Sequence, residues 1–146
     1  MRIGSDDHTY EWVENWTRLP DTELGRQDKT HHGMVVTESQ EVVMFHEGGP
    51  AVLVLDVEGN LLRSWDSTLT NAHGMDLVKE EGTEYLWMAD NKSGQVVKTD
   101  LQGREVMRVR QPDLPVYREG EYKPTWIAVN QDRWGGNGDV WVADGY

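Results

Sequence analysis

The sequence predicts an all-β protein, built from repeated four-stranded units in the manner of an incomplete β-propeller. Three observations support this prediction. A set of landmarks returns after 41 to 44 residues, and short β-rich runs alternate with turn residues. The composition is also unusual, with seven tryptophans and 15 glycines against one phenylalanine. Four strands in roughly 40–45 residues is the size of one propeller blade.

The repeat appears when the chain is compared with itself. His32-Gly33-Met34 returns 41 residues later as His73-Gly74-Met75, and a looser third copy is Thr125-Trp126-Ile127. Two further landmarks follow in the same order: a strand ending in Phe45-His46-Glu47, Ala89-Asp90 or Ala143-Asp144, and the segments Asp56–Gly59 and Asp100–Gly103. Because the order is kept, the landmarks mark successive copies of one unit.

The middle unit shows the strand pattern most fully. Its β-rich runs are Gly74–Lys79, Glu84–Asp90, Gln95–Leu101 and Arg104–Arg110. The residues between them are Asp, Asn, Glu and Gly, which favour tight turns. The runs are too short for helices, and the apolar spacing of three and four residues that a helical repeat needs is not sustained.

These landmarks divide the chain into two parts. Residues 1–26 hold an introductory strand, Tyr10–Trp16, and a polar connection. Residues 27–146 form an incomplete propeller domain, with units at about 30–70, 71–122 and 123–146. Propellers close with about four to eight blades, so we expect missing C-terminal blades to complete the ring, with self-association of this fragment as the alternative.

The composition restricts the classes of partner and function that we expect. The chain has 14 Lys and Arg against 26 Asp and Glu, a formal charge of -12. Such a surface repels phosphate backbones and anionic lipids, which argues against nucleic acid and membrane partners. There is no cysteine, no signal peptide and no run of about 18 apolar residues, so a cytoplasmic location is the default expectation, with the compartment of a full-length protein left open.

The residues themselves suggest one site. If His32 and His73 each begin the innermost strand of neighbouring blades, both imidazoles lie at one mouth of the channel, as candidate zinc ligands. The alternative is that each His-Gly pair simply forms a turn. Trp126 replaces a small residue of the repeat and is expected to narrow this mouth. Four aspartates at matching repeat positions are interpreted as turn residues, and four tryptophans as filling between blades: Asp56, Asp90, Asp100 and Asp144; Trp65, Trp87, Trp126 and Trp141.

The landmarks resemble the NHL type of propeller repeat. Ala72-His73-Gly74-Met75, Trp87-Met88-Ala89-Asp90, Pro124-Thr125 and Val142-Ala143-Asp144-Gly145-Tyr146 occur in an order similar to that of the peptidyl-α-hydroxyglycine α-amidating lyases. The resemblance covers about residues 33–146 and implies the N-terminal half of a six-bladed ring. It also implies a lyase that cleaves peptidyl-α-hydroxyglycine to a peptide amide and glyoxylate.

The resemblance also assigns roles to single residues. It implies zinc on His73, calcium on the backbone carbonyls of Met34 and Met75, and Tyr146 as the catalytic base. Glu47 stands where the family has a substrate-binding arginine, which counts against the same activity. With Trp126 it is a candidate substrate contact. The alternative function is a non-catalytic NHL propeller that binds a protein or small ligand on one face.

Overall fold

The protein is described from a computed structural model, which covers residues 1–23, 33–46 and 50–145. The described chain is almost entirely β, with twelve strands, one four-residue helix (α1, Val116–Glu119) and a 3₁₀ turn at Asp132–Trp134. The strands are β1 Arg2–Ser5, β2 His8–Glu11, β3 Met34–Val36, β4 Val42–Phe45, β5 Val52–Leu55, β6 Leu61–Trp65, β7 Ala72–Glu80, β8 Thr83–Asp90, β9 Gln95–Asp100, β10 Glu105–Arg110, β11 Pro124–Val129 and β12 Val140–Asp144.

The strands form four antiparallel sheets. An N-terminal hairpin pairs β1 with β2, and the first sheet has the order β3-β4-β5-β6. The second sheet contains β7 to β10 in the same sequential order, and the third pairs β11 with β12. The prediction of an all-β chain with four-stranded units is therefore confirmed. Within the described ranges, no helix has the length and apolar character needed to cross a bilayer.

Strand register confirms the alignment of the second and third units. Ala72 lies opposite Asp90 in the second sheet, and Pro124 lies opposite Asp144 in the third. In both sheets the register shifts by one residue directly afterwards, at a β-bulge. Trp126 then takes the position of Gly74, as the sequence alignment predicted. The two units therefore share a local distortion as well as a pairing pattern.

The first, second and third sheets pack face to face in chain order. One core joins the first and second sheets through side chains such as Phe45 and Val54 on one side and Leu86 and Met88 on the other. A second core joins the second and third sheets, with Trp87 packed near Ile127. Alternation along the strands explains this arrangement, because neighbouring residues point to opposite faces of a sheet.

β7, the first strand of the second sheet, lies next to β3 and β11, the first strands of the other two sheets. A Cβ on Gly33 would lie 2.9 Å from the Met75 Cα, and one on Gly74 would lie 2.8 Å from the Trp126 Cα. Real side chains do not fit at such distances, so each glycine permits close approach to the next inner strand. The glycine that recurs in the landmark thus has a packing role between units.

The N-terminal segment differs from its predicted form. The strand expected at Tyr10–Trp16 ends at Glu11, and Arg2–Ser5 pairs with His8–Glu11 as a hairpin instead. Asn15 adopts a left-handed backbone with φ of 52°, which is incompatible with a strand. The prediction was wrong because the local turns at Asp6-Asp7 and Asn15 outweigh the aromatic pattern.

The same segment covers one face of the first sheet. Trp16 packs on the face of the first sheet that points away from the second, hereafter the back face. The indole Nε1 of Trp16 donates to the Val57 carbonyl at 2.9 Å, and the Thr17 hydroxyl donates to the Gly59 carbonyl at 2.7 Å. Four apolar side chains are buried on this back face: Val42, Met44, Leu53 and Leu55.

Two of the four tryptophans do not fill an interior. Trp87 is 3% exposed between the second and third sheets, and Trp65 packs against the core between the first and second. Trp126 and Trp141, however, are 50% and 66% exposed. The prediction for this last pair was wrong: Trp141 lies on the outer face of the third sheet, which no other described strand covers, and Trp126 lies over Gly74 of β7 with half of its side chain exposed.

Candidate functional site

The candidate site is centred on His73, at the start of the inner strand β7. The bulge between Ala72 and Gly74 places His73 at the point where the pairing with β8 shifts. Bulges re-aim side chains and occur often beside functional sites. His73 is half-buried and lies next to the start of β11. The structure thus sets its imidazole between the second and third units.

A hydrogen bond fixes the tautomer of His73. Its Nδ1 lies 3.0 Å from the backbone carbonyl oxygen of Thr125. A carbonyl oxygen can only accept, so Nδ1 must donate and carry the proton. In the neutral ring Nε2 is then the nitrogen with a lone pair. Histidines that bind metals are oriented in this way, with one nitrogen donating to a carbonyl and the other binding the ion.

Trp126 lies beside this histidine, because it follows Thr125 directly. Its ring carbon Cε3 would be 3.1 Å from a Cβ on Gly74, so the indole lies over the glycine that follows His73. Half of the Trp126 side chain remains exposed. The structure therefore brings together two of the residues singled out in the sequence, an imidazole and a flat apolar surface. A substrate contact at Trp126 stays a prediction.

Met34 begins β3, and Met75 lies near the start of the neighbouring strand β7. Met75 is 2% exposed and packs in the core between the first and second sheets, whereas Met34 is more than half exposed. The close approach of Gly33 to Met75 places the two strand starts side by side. Calcium binding by their backbone carbonyls stays a prediction.

Three predicted site residues, His32, Glu47 and Tyr146, lie outside the described residues. Their assignments as zinc ligand, substrate contact and base are unchanged by the structure. Among residues 1–23, 33–46 and 50–145, no three His, Cys, Asp or Glu side chains cluster as a metal site would require. Of the described histidines, His73 is the one that the sequence pattern placed at the mouth.

Asp56, Asp90 and Asp100 serve turns, as predicted, whereas the hydrogen bonds of Asp144 join it to the chain that precedes its sheet. Asp56 accepts the backbone N–H groups of Glu58 and Asn60, and Asp100 accepts those of Gln102 and Arg104. This is the Asx-type bonding that stabilises hairpin turns. The two carboxylates are therefore not a catalytic pair.

Asp90 ties the second sheet to the chain that enters it. It is fully buried, and its carboxylate accepts four backbone N–H groups, from Thr70, Asn71, Lys92 and Ser93. Burial by itself would raise the pKa of Asp90, but these four donors outweigh it and the pKa is lowered. In the third sheet the equivalent Asp144 accepts the Lys123 N–H and the Tyr117 hydroxyl.

Sequence reasoning missed Asp76. This half-buried carboxylate lies on β7 and accepts the backbone N–H groups of Leu77 and of Val129 on β11. Burial raises the pKa of Asp76, against the lowering effect of those donors and of Arg133. The sequence pattern could have indicated Asp76, because the same repeat position holds the apolar residues Val35 in the first unit and Ala128 in the third.

His46 was also passed over. It takes the repeat position of Asp90 and Asp144 but is fully buried, and neither ring nitrogen has a hydrogen-bond partner among the described residues. An imidazole cannot accept several N–H groups as a carboxylate does. Among its described contacts, the first unit therefore lacks a carboxylate that accepts backbone N–H groups at this position, as Asp90 and Asp144 do in the other two units.

The far end of β7 borders a separate polar cavity. It has a volume of about 390 Å³ and lies between the β7–β8 turn and the loop after β11. Beside it, Lys98 is buried over the Tyr85 ring, with its ammonium 4.4 Å from the ring centre and 2.5 Å from a Glu80 carboxylate oxygen. This ion pair and cation–π contact tie the ammonium to its neighbours, so we assign Lys98 a structural role.

No protein-family model matches the sequence, and no curated protein is significantly similar to it.

Proposed function

We propose that the chain forms part of a β-propeller whose channel mouth carries a metal-dependent lyase site, of the type that cleaves peptidyl-α-hydroxyglycine. The observation that carries the proposal is the 3.0 Å hydrogen bond from His73 Nδ1 to the Thr125 carbonyl. This bond orients the ring, and in the tautomer that it sets Nε2 is the nitrogen that would bind a metal.

Two features support the propeller. The packing of the first sheet on the second is repeated by the second on the third, with the same strand faces in contact. The inner strands β3, β7 and β11 lie side by side, and a glycine of each of the first two units approaches the next. Repetition of one sheet-to-sheet step around an axis is the construction of a propeller.

The metal set would be completed beyond the described residues. A catalytic zinc needs about three protein ligands and an open position, and His73 supplies one. His32 is the second candidate, and the remaining ligand would come from another part of the ring. When bound, zinc would polarise the substrate hydroxyl and lower its pKa. Calcium on the carbonyls of Met34 and Met75 would have a structural role.

The chain's own residues would divide the remaining tasks. In the proposed reaction Tyr146, as tyrosinate, takes the proton of the α-hydroxyl group. The C–O bond becomes the carbonyl of glyoxylate, and the C–N bonding pair leaves with nitrogen, which gains a proton to form the amide. Trp126 offers an apolar wall beside His73. Glu47 would repel a carboxylate where an arginine would bind one, so the substrate is expected to differ there from the family's.

Metal analysis of the purified full-length protein tests this proposal, because the complete ring would supply the remaining zinc ligands. We expect about half an equivalent of zinc or more, lost in His73→Ala and retained in the control His8→Ala, since His8 is exposed on the N-terminal hairpin. Less zinc than that, unchanged by His73→Ala, would exclude a metal site at this mouth.

Activity is measured separately, as glyoxylate released from a peptidyl-α-hydroxyglycine. Zinc on His73 without any glyoxylate would replace the lyase with the alternative, a non-catalytic propeller that binds its ligand on one face. Glyoxylate release that survives His73→Ala would contradict the assignment of the site.

A further inference from the structure

The polar cavity at the far end of β7 lies between two turns of successive units. One wall is the end of β7 with the β7–β8 turn, and the other is the connection between β11 and β12, residues 130–139, hereafter the long loop. Both walls lie wholly within the described residues. Lys79, at the cavity, follows His73 by six residues on the same strand, a separation of roughly 20 Å. The cavity is therefore separate from the candidate metal site, and the inference does not rest on the proposed function.

The long loop is a departure from the repeat. In the second unit Glu81 and Gly82 alone join the first two strands, whereas the third unit uses residues 130–139. Backbone hydrogen bonds of 2.8 Å close the base of the long loop, from Asn130 to the Asp139 carbonyl and from Gly138 to the Asn130 carbonyl. The wall of the cavity is thus formed in advance of any ligand, and the common fold of the units does not explain it.

The residues that bridge successive units at this end also differ. Glu38, Lys79 and Gln131 share one repeat position, because each lies five residues after the glycine position of its landmark. Between the first and second units, the Lys79 ammonium lies 2.8 and 2.6 Å from the two carboxylate oxygens of Glu38. In the third unit the uncharged Gln131 bonds to the β7 backbone instead, at the floor of the cavity. An ion pair at the first junction is thus replaced by an amide at the second.

Three groups at the cavity have hydrogen-bonding capacity to spare. Gln131 is 5% exposed, and its carboxamide makes two long hydrogen bonds of 3.4 Å, to the Leu77 carbonyl and from the Lys79 N–H. A carboxamide has two N–H groups and two lone pairs, so one of each remains. Among the described residues, neither the Glu81 carboxylate nor the Tyr85 hydroxyl has a hydrogen-bond or ion-pair partner.

The charges around the cavity favour a cation. The ammonium groups of Lys79 and Lys98 are already paired with carboxylates. The carboxylates of Glu81 and Asp132 remain, and Asp132 uses one oxygen on the Arg133 N–H. The formal charge of -12 on the chain adds to the attraction of a cation and repels an anion.

We propose that this cavity binds a small organic cation through an alkyl ammonium group. An ammonium has three N–H donors and no acceptor, which matches the groups left over. Glu81 pairs with the charge, and the Tyr85 hydroxyl and the Gln131 carboxamide oxygen accept the other N–H groups. Charge-assisted hydrogen bonds of this kind are about twice as strong as neutral ones.

Isothermal titration calorimetry of the full-length protein tests the proposal, with 1,4-diaminobutane as the probe and 1,4-butanediol as its uncharged control. We expect a Kd of about 1 mM or tighter at low salt for the diamine, weakened by added salt because screening reduces the attraction. The diol should give no heat of binding. Nα-acetyl-lysinamide tests whether the ammonium is that of a free amine or of a lysine side chain, since the tighter of the two ligands identifies the source.

Two substitutions locate the binding. Glu81→Gln keeps the shape of the side chain but removes its charge, and should weaken diamine binding by about fivefold or more. Glu58→Gln is the matched control, because it removes the same charge from an exposed turn of the first sheet, and the Kd should stay within about twofold. Tyr85→Phe removes the hydroxyl, keeps the ring beneath the Lys98 ammonium, and should weaken binding by about threefold.

Three results would overturn the proposal. They are the absence of binding by both amines at about 10 mM, equal binding of the diol and the diamine, and equal weakening by Glu81→Gln and Glu58→Gln. The last result would mean that the net charge of the chain attracts the amine without a defined site. Circular dichroism melting of each variant shows that it is folded before its Kd is compared.

Discussion

The second and third sheets contain the same sequence landmarks but have different neighbours in the structure. Trp87 and Trp141 share a repeat position, as do Asp90 and Asp144. In the second sheet both residues are buried and Asp90 accepts four backbone N–H groups, whereas in the third both residues are exposed. The comparison shows that the repeat determines local structure, whereas the contribution of each residue to the free energy of unfolding depends on the sheet packed next to it.

The largest difference is expected between the two tryptophans. Trp87→Ala removes a large side chain from the core and should cost about 3–5 kcal/mol in the free energy of unfolding. Trp141→Ala removes an exposed side chain and should change it by less than about 0.5 kcal/mol. Urea unfolding at a concentration where the chain is monomeric measures both. Equal losses would contradict the difference in exposure between the two tryptophans.

The aspartate pair should show a smaller difference. Asp90→Ala leaves four backbone N–H groups without their acceptor in a buried site and should cost about 2–4 kcal/mol. The loss from Asp144→Ala should be about 1 kcal/mol or less, because its donors can turn to water. If Asp144→Ala lost as much free energy of unfolding as Asp90→Ala, this account of the two carboxylates would be contradicted.

Acid titration gives the sign of the Asp90 contribution independently. The pKa of Asp90 is lower in the folded protein than in the unfolded chain, so its stabilisation is complete above about pH 4 and is lost as the pH falls through the folded pKa. Asp90→Asn should flatten this acid limb of the stability curve. An unchanged acid limb would show that the carboxylate is not the group responsible.

The titration of Asp76 should have the smallest effect on the free energy of unfolding, and this effect should be opposite in sign to that of Asp90. Its pKa is raised mainly by burial, so the folded state keeps the proton to higher pH than the unfolded chain does. Stability from this group therefore falls as the pH rises from about 4 through the folded pKa, and stays constant above it. Asp76→Asn should remove that fall, which is measured as the difference between wild type and variant at pH 3.5 and pH 7.

Much of the fold was predictable because it is local and repeated. The strands of the second unit match within about two residues, and the turn aspartates behave as their residue type suggests. The strand at Tyr10–Trp16 failed because a left-handed Asn15 ends the extended backbone. The cover by Trp16 and the exposure of Trp141 could not be predicted, since both depend on contacts distant in sequence.

The site was predictable in part. His73 and Trp126 were found from their repeat positions, and the structure adds the hydrogen bond to Thr125, which no spacing specifies. Asp76 and His46 were missed although each breaks the residue pattern of its position. A departure from the repeat is therefore as informative as a match, because the common fold no longer explains the residue.

The most direct test of the account is nitrogen-15 NMR of the His73 imidazole, with and without zinc. We expect the tautomer protonated on Nδ1, and a zinc-dependent shift of the His73 Nε2 resonance that the exposed His8 does not share. A His73 ring protonated on Nε2, or one whose resonances ignore zinc, would contradict the central claim.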